Sequence, residues 1–182
     1  MATPAASARA RRRAQPASEA PPTVVRALDT RVATTGPATA LRVHELVSLE
    51  GNRWSSPGEP TIYLASSEGV AIAEFGRHFD ESMGPMGLWT VRLRLDALAD
   101  VRGLRERERT RLLERRECRD LARSFRARPD CRGLLVPSVA FLDRADCWNV
   151  VLFVERLRGP LDDVLTQERR SGIWSPTSPG PG

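Results

Sequence analysis

Three observations predict an α+β domain flanked by polar tails. Short strand-like runs are interleaved with helical stretches, but without the regular strand and helix alternation of a doubly wound sheet. Apolar positions switch from period two at Trp89, Val91, Leu93 and Leu95 to helical spacing at Cys118, Leu121, Ala122 and Phe125. Both ends are rich in Ala, Pro, Ser and Gly and lack either period. At 182 residues the chain is long enough for one substantial core.

Residues 1–40 hold Ala, Pro, Ser, Thr and Arg with no periodic apolar pattern beyond Val24-Val25, which predicts a disordered tail. The domain is expected over 41–158, followed by an extension over 159–182 that is disordered from about 171, where turn and breaker residues take over. Within the domain, Ala40–His44 reads as a first short strand carrying Arg42. Gly51-Asn52 tolerates positive φ and reads as a tight turn that aims Arg53 inward. Pro57-Gly58 and Pro60 lead into a strand at Thr61–Ala65. A helix follows over 66–79, with Ser66 or Ser67 as its N-cap. After the Gly84–Gly87 loop, 89–95 alternates as a strand solvated on one face. The charge-dense stretch 105–128 reads as one or two surface helices whose arginines interleave with glutamates. Leu134–Val136 and Val150–Val154 are the remaining strands.

Charge and cysteines exclude several functions. The net charge of +5 sits mostly in residues 1–40, where six arginines face only Glu19 and Asp29, so the globular part is near neutral. A basic tail can touch nucleic acid weakly through phosphates. No exposed basic and aromatic stripe exists for stacking bases, so nucleic acid is not the expected partner. Cys118, Cys131 and Cys147 form neither a disulfide framework nor a zinc pair, and a reducing cytoplasm suits them. No apolar run approaches the about 18 residues of a spanning helix, so no membrane segment is expected. His44 and His78 have no evident companions and read as structural or surface residues.

Polar residues concentrate between Gly51 and His78. Arg53 follows a turn, Tyr63 sits in a strand, and Glu74 is a lone carboxylate in the apolar run Val70–Phe75. Either Glu74 pairs with Arg53 or lies on a solvated helix edge, or the three residues make a site. Ser138 after Pro137 and Asn149 after Trp148 admit the same two kinds of reading: turn chemistry, or groups held in a cleft.

These residues, in order, carry a resemblance. Arg42, Gly51-Asn52-Arg53-Trp54-Ser55, Pro57-Gly58, Tyr63-Leu64, Glu74, Pro137-Ser138 and Asn149 before Val150–Phe153 resemble the pattern of the RES domain family, the toxin half of many bacterial toxin and antitoxin pairs. The similarity spans roughly Leu41 to Leu157. That family has Gly where Asn52 stands and Asn where Ser55 stands. The resemblance implies a compact ADP-ribosyltransferase-like fold, with small mixed or antiparallel sheets around an NAD⁺ cleft and helices covering them. It implies NAD⁺ glycohydrolase or phosphorylase activity, with inorganic phosphate as co-substrate in the second case, no cofactor, and a cognate antitoxin as partner. Glu74, Arg53 and Tyr63 then take catalytic places, and Arg42, Ser138 and Asn149 bind substrate. In that reading Arg42 and Arg53 meet the pyrophosphate, Tyr63 faces nicotinamide, and Glu74 faces the reacting carbon. Two alternatives belong to other classes: a non-enzymatic interaction module, and ADP-ribosyl transfer to a macromolecule.

Overall fold

The computed structural model describes residues 23–25, 27–77, 84–103 and 112–174. The expected tail over 1–22, the end of the predicted first helix with His78 and Phe79, the stretch 104–111 and residues 175–182 lie outside the described residues. The architecture is a mixed sheet of eight strands: β1 (Thr23–Val25), β2 (Leu28–Pro37), β3 (Thr61–Ala65), β4 (Met86–Leu95), β5 (Leu98–Asp100), β6 (Gly133–Pro137), β7 (Trp148–Phe153) and β8 (Leu165–Trp174). Their order is β1-β5-β6-β7-β3-β2-β4-β8, with β5 and β6 parallel and the other neighbours antiparallel.

The expectation of separate small sheets is corrected to one continuous sheet, but that sheet is nearly divided. β3 and β2 meet through a single residue pair, Ala33 with Ala65, whereas β2 and β4 pair from Leu28 with Leu95 to Pro37 with Met86. Strands β2 and β3 therefore splay apart beside this one bridge.

Two boundaries also change. The expected tail contributes β1 at one edge and β2 in the interior of the sheet, and the expected C-terminal extension contributes β8. In β2 only Val32, Ala33, Thr34 and Gly36 are buried, and in β8 only Leu165. Their order comes from backbone ladders to β4 rather than from apolar side chains, so composition reads them as tails. β8 is an edge strand, and its exposed Gln167, Glu168, Arg169 and Arg170 suit an edge that must not pair further.

One face of the sheet packs Val32, Ile62, Leu64, Trp89, Val91, Leu93, Leu135, Val150 and Leu152 into the larger core, closed by Leu41 and Val43 and by Val164. Residues 43–46 form a 3₁₀ turn where a strand was expected, so Arg42 precedes a turn and points to solvent. The opposite face carries two helices. Helix α1 (Glu68–Gly76) begins at Ser67, whose hydroxyl accepts the Val70 N–H at 3.3 Å, and packs Val70 and Ala71 against Ala33, Ala65 and Leu88. Because α1 lies there, Leu88 and Thr90 of β4 are buried too, and the face expected to be solvated is wet only at Arg92 and Arg94. Helix α2 (Arg115–Arg126) covers β5, β6 and β7 through Cys118, Ala122 and Phe125, on a small core that also takes in Trp54. A last helical turn, α3 (Leu161–Val164), leads into β8.

Candidate active site

The face of the sheet that carries α1 and α2 also holds a cleft of about 470 Å³, a size usual for small-molecule sites. Its floor includes Ala33, Thr34 and Thr35 of β2 and Tyr63, Leu64 and Ala65 of β3, the two strands that part at the seam. Ala71, Glu74 and Phe75 come from α1, Arg115 from α2, Asn149 from β7, and residues 50–54 from the loop before β3.

Glu74 is three and four residues beyond the buried Ala71 and Val70, so it shares their helix face and turns toward the sheet. Its Oε1 accepts three hydrogen bonds: from the Ser138 hydroxyl at 2.6 Å, from Asn149 Nδ2 at 3.0 Å and from the Ala140 N–H at 3.2 Å. Ser138 is fully buried and opens a 3₁₀ turn at Val139–Phe141, which presents the Ala140 amide beside its own hydroxyl. Asn149 sits opposite Ala65 and Val136 in the ladder, so its side chain shares a face with Tyr63. All three donors are neutral, and Glu74 makes no ion pair with Arg53. Among the described residues Glu74 Oε2 accepts no hydrogen bond, and the residue remains part of the cleft wall.

The loop before β3 is built on Trp54, which is 3% exposed and seated in the core beneath α2. Neither Gly51 nor Asn52 takes positive φ, contrary to the expectation; Gly58 does, at +85°. Gly51 is needed for space instead, since a Cβ there would lie 2.8 Å from Pro57 Cδ. The Asn52 side chain accepts the Arg53 N–H at 2.9 Å, and its carbonyl accepts from Arg119 Nε at 2.9 Å. Arg53 lines the cleft, and its Nη1 donates to the carbonyls of Leu112 and Leu113 at 2.8 and 3.0 Å. Two guanidinium groups thus tie this loop to the start of α2.

Tyr63 lines the cleft with its hydroxyl 3.0 Å from that of Ser55. Burial pushes the phenol above its ordinary 10.0, against smaller opposing effects from the Ser55 hydrogen bond, the Trp54 backbone and the charges of Arg126 and Arg119. Ser55 is fully buried and also accepts the Asn52 N–H at 3.3 Å. In the sequence Ser55 stands out only as a departure from the family pattern; here it fixes the tyrosine.

Of the six residues singled out from the sequence, Arg53, Tyr63, Glu74 and Asn149 line the cleft, and Ser138 supports Glu74 from beneath. Arg42 is not part of the cleft: it is exposed, and its backbone N–H donates to Glu45 at 3.3 Å. Arg115 and the Ala140 amide were missed. A single guanidinium in a stretch full of arginines carries no local signal, and a backbone amide carries none at all. Among the described residues no group of His, Cys, Asp and Glu is arranged to hold a metal ion, and the cysteines are unpaired.

Comparison with known proteins bears on the fold and the family. Among solved structures, the crystal structure of the M. tuberculosis MbcT-MbcA toxin-antitoxin complex contains a chain that superposes with a TM-score of 0.60 at 18% identity, covering 80% of this chain and 84% of that one. At that identity the likeness shows a shared fold. No curated protein matches the sequence. The RES domain profile matches residues 23–171, and so takes in β2 and most of β8 as well as the cleft. The chain belongs to the RES domain family.

Proposed function

We propose that this protein cleaves the nicotinamide–ribose bond of NAD⁺, passing the ADP-ribosyl group to water or to inorganic phosphate, as the toxin of a toxin–antitoxin pair. The observation that carries the reading is Glu74: a carboxylate in a cleft wall, anchored through one oxygen by three neutral donors and in no ion pair among the described residues. Membership of the RES family and the likeness to a toxin–antitoxin complex support the biological setting.

The chemistry follows from charge. When the C1′–N bond breaks, its electron pair leaves with nicotinamide, which departs neutral, and C1′ and the ring oxygen share a positive charge. An unneutralised carboxylate in a partly dry cleft lowers the energy of that cation far more than it does in water. Neutral donors suit this task because they fix the carboxylate without cancelling its field. An oxygen of water or phosphate then bonds to C1′, and for water the surplus proton passes to solvent. Tyr63 offers an aromatic face to nicotinamide, and Arg53 adds positive charge for the phosphates. NAD⁺ is a cytoplasmic metabolite, and the unpaired buried cysteines are compatible with that compartment.

Overnight incubation of the purified chain with NAD⁺, with and without phosphate, followed by chromatography, tests the reading. Nicotinamide release is the expected result, and a phosphorylated ADP-ribose formed only with phosphate selects phosphorolysis. Intact NAD⁺ under both conditions from a folded sample overturns it.

A further inference from the structure

Many of the described arginines are paired locally. Arg31 pairs with Glu168, Arg92 with Asp29, Arg102 with Asp100, Arg116 and Arg123 with Asp120, and Arg144 with Asp146. Among the described residues two arginines line the cleft, Arg53 and Arg115. Arg53 commits one terminal nitrogen to the Leu112 and Leu113 carbonyls. Arg115 has no ion pair and no hydrogen-bond acceptor among the described residues, although Glu50 and Glu74 line the same cleft.

Arg115 is exposed, so its guanidinium is solvated and open to a ligand rather than held inside the protein. Arg115 is the first residue of α2, where the helix dipole disfavours a cation, and Arg116 follows it directly. The remaining arginine pairs of α2 lie further along the helix, where Arg123 and Arg126 fall in the last turn that favours them. A guanidinium left without a partner, at the helix end that opposes it and on the wall of a cleft, is complementary to an anion arriving from solution. A fork of N–H donors matches phosphoryl oxygens in particular.

We propose that Arg115 forms the phosphoryl-anion subsite of the cleft, on the α2 wall, while Glu74 serves the reacting carbon from the α1 wall. It takes the place that the sequence assigned to Arg42. The identity of the anion rests on the NAD⁺ reading above: it is the dinucleotide's pyrophosphate or the inorganic phosphate co-substrate, which present the same ionised oxygens.

Calorimetric titration of the full chain with inorganic pyrophosphate, inorganic phosphate and ADP-ribose, for wild type, Arg115→Gln and Arg116→Gln, tests the subsite without requiring turnover. Arg115→Gln is expected to weaken at least one of these anions by about tenfold or more and to flatten the salt dependence of its binding. Arg116→Gln removes the same charge from a residue already paired with Asp120, and should stay within about twofold. Arg115→Gln should melt no lower than wild type, because it removes a cation from a helix N-terminus. Weakening of ADP-ribose and pyrophosphate assigns the subsite to the dinucleotide; weakening of phosphate alone assigns it to the co-substrate. Equal weakening by both variants, unchanged affinities in Arg115→Gln, or a wild type that binds none of the three anions overturns the proposal. A wild type that leaves NAD⁺ intact yet binds pyrophosphate through Arg115 removes the reaction and keeps the subsite.

Discussion

Two ionised centres lie on the same face of the sheet, and the protein treats them in opposite ways. Arg126, 7% exposed at the end of α2, is surrounded by counter-charge: it bonds Glu155 and the Thr61 hydroxyl, approaches Glu59 at 3.8 Å, and lies 4.2 Å above the Phe153 ring. Glu74 makes no ion pair among the described residues and is held by a hydroxyl, an amide side chain and a backbone N–H. The first arrangement spends its charge inside the protein, joining α2 to the start of β3 and to the turn after β7. The second fixes a charge in place and leaves its field directed at whatever enters the cleft. Counter-charge marks scaffolding here, and neutral donors mark a site.

The largest expected effect comes from converting Glu74 to its neutral isostere. Since Oε1 accepts all three bonds and Oε2 none among the described residues, Glu74→Gln can keep the oxygen in its socket and place the NH₂ where Oε2 stood. Turnover should fall by about 10²- to 10³-fold while the melting temperature moves little. A variant that unfolds readily, or one that turns over normally, puts Glu74 with the scaffolding and erases the contrast with Arg126.

The converse holds for Arg126. Arg126→Met removes one partner of a matched group, which costs about 3–5 kcal/mol when every member is buried. Glu155 keeps 39% of its side chain exposed and Glu59 31%, so solvent screens what is left, and a loss of about 2 kcal/mol is expected in urea unfolding. Turnover per folded molecule should stay within a few-fold of wild type. Unchanged stability together with lost activity would reverse the two assignments.

A smaller effect links the centres through Tyr63, the one tyrosine of the chain, whose ionisation can be followed by ultraviolet absorbance without interference from another phenol. Burial raises its pKa above 10.0, so the folded state holds the proton more tightly than the unfolded chain does. The resulting stabilisation is complete below pH 10 and is lost as pH rises through the folded-state value. Arg126 and Ser55 both act downward on this group, so Arg126→Met and Ser55→Ala should each move the midpoint further up. A wild-type midpoint at or below 10 would show that the cleft around Tyr63 is wetter than its burial implies.

Local chemistry was enough for the residues whose neighbours in sequence constrain them. Thr61–Ala65 is a strand because β-branched and aromatic residues follow a Pro-Gly turn, and the helix after it starts at one of the two expected serines, Ser67. Glu74 was conspicuous because a carboxylate in an apolar helical run needs a partner; Ser138 and Asn149 stood out as groups held in a cleft, with substrate binding as their expected part. Backbone pairing could not be read in this way. β2 and β8 are ordered by ladders to β4, a strand remote from both in sequence, and their side chains hold little of the apolar signal that composition registers.

The sequence by itself determined the α+β class and, through ordered motifs, the family, and it singled out Arg53, Tyr63 and Glu74, which line one cleft. Tertiary structure alone decided which arginines face the cleft. Arg42 and Arg115 look equivalent as isolated guanidinium groups, yet one precedes a solvent-facing turn and the other opens the helix on the cleft wall. It also decided that Glu74 meets neutral donors rather than Arg53, since Ser138, Ala140 and Asn149 reach it only after β6 and β7 are laid beside β3. Charge acts over a few ångströms of space, and chain separation does not report that distance.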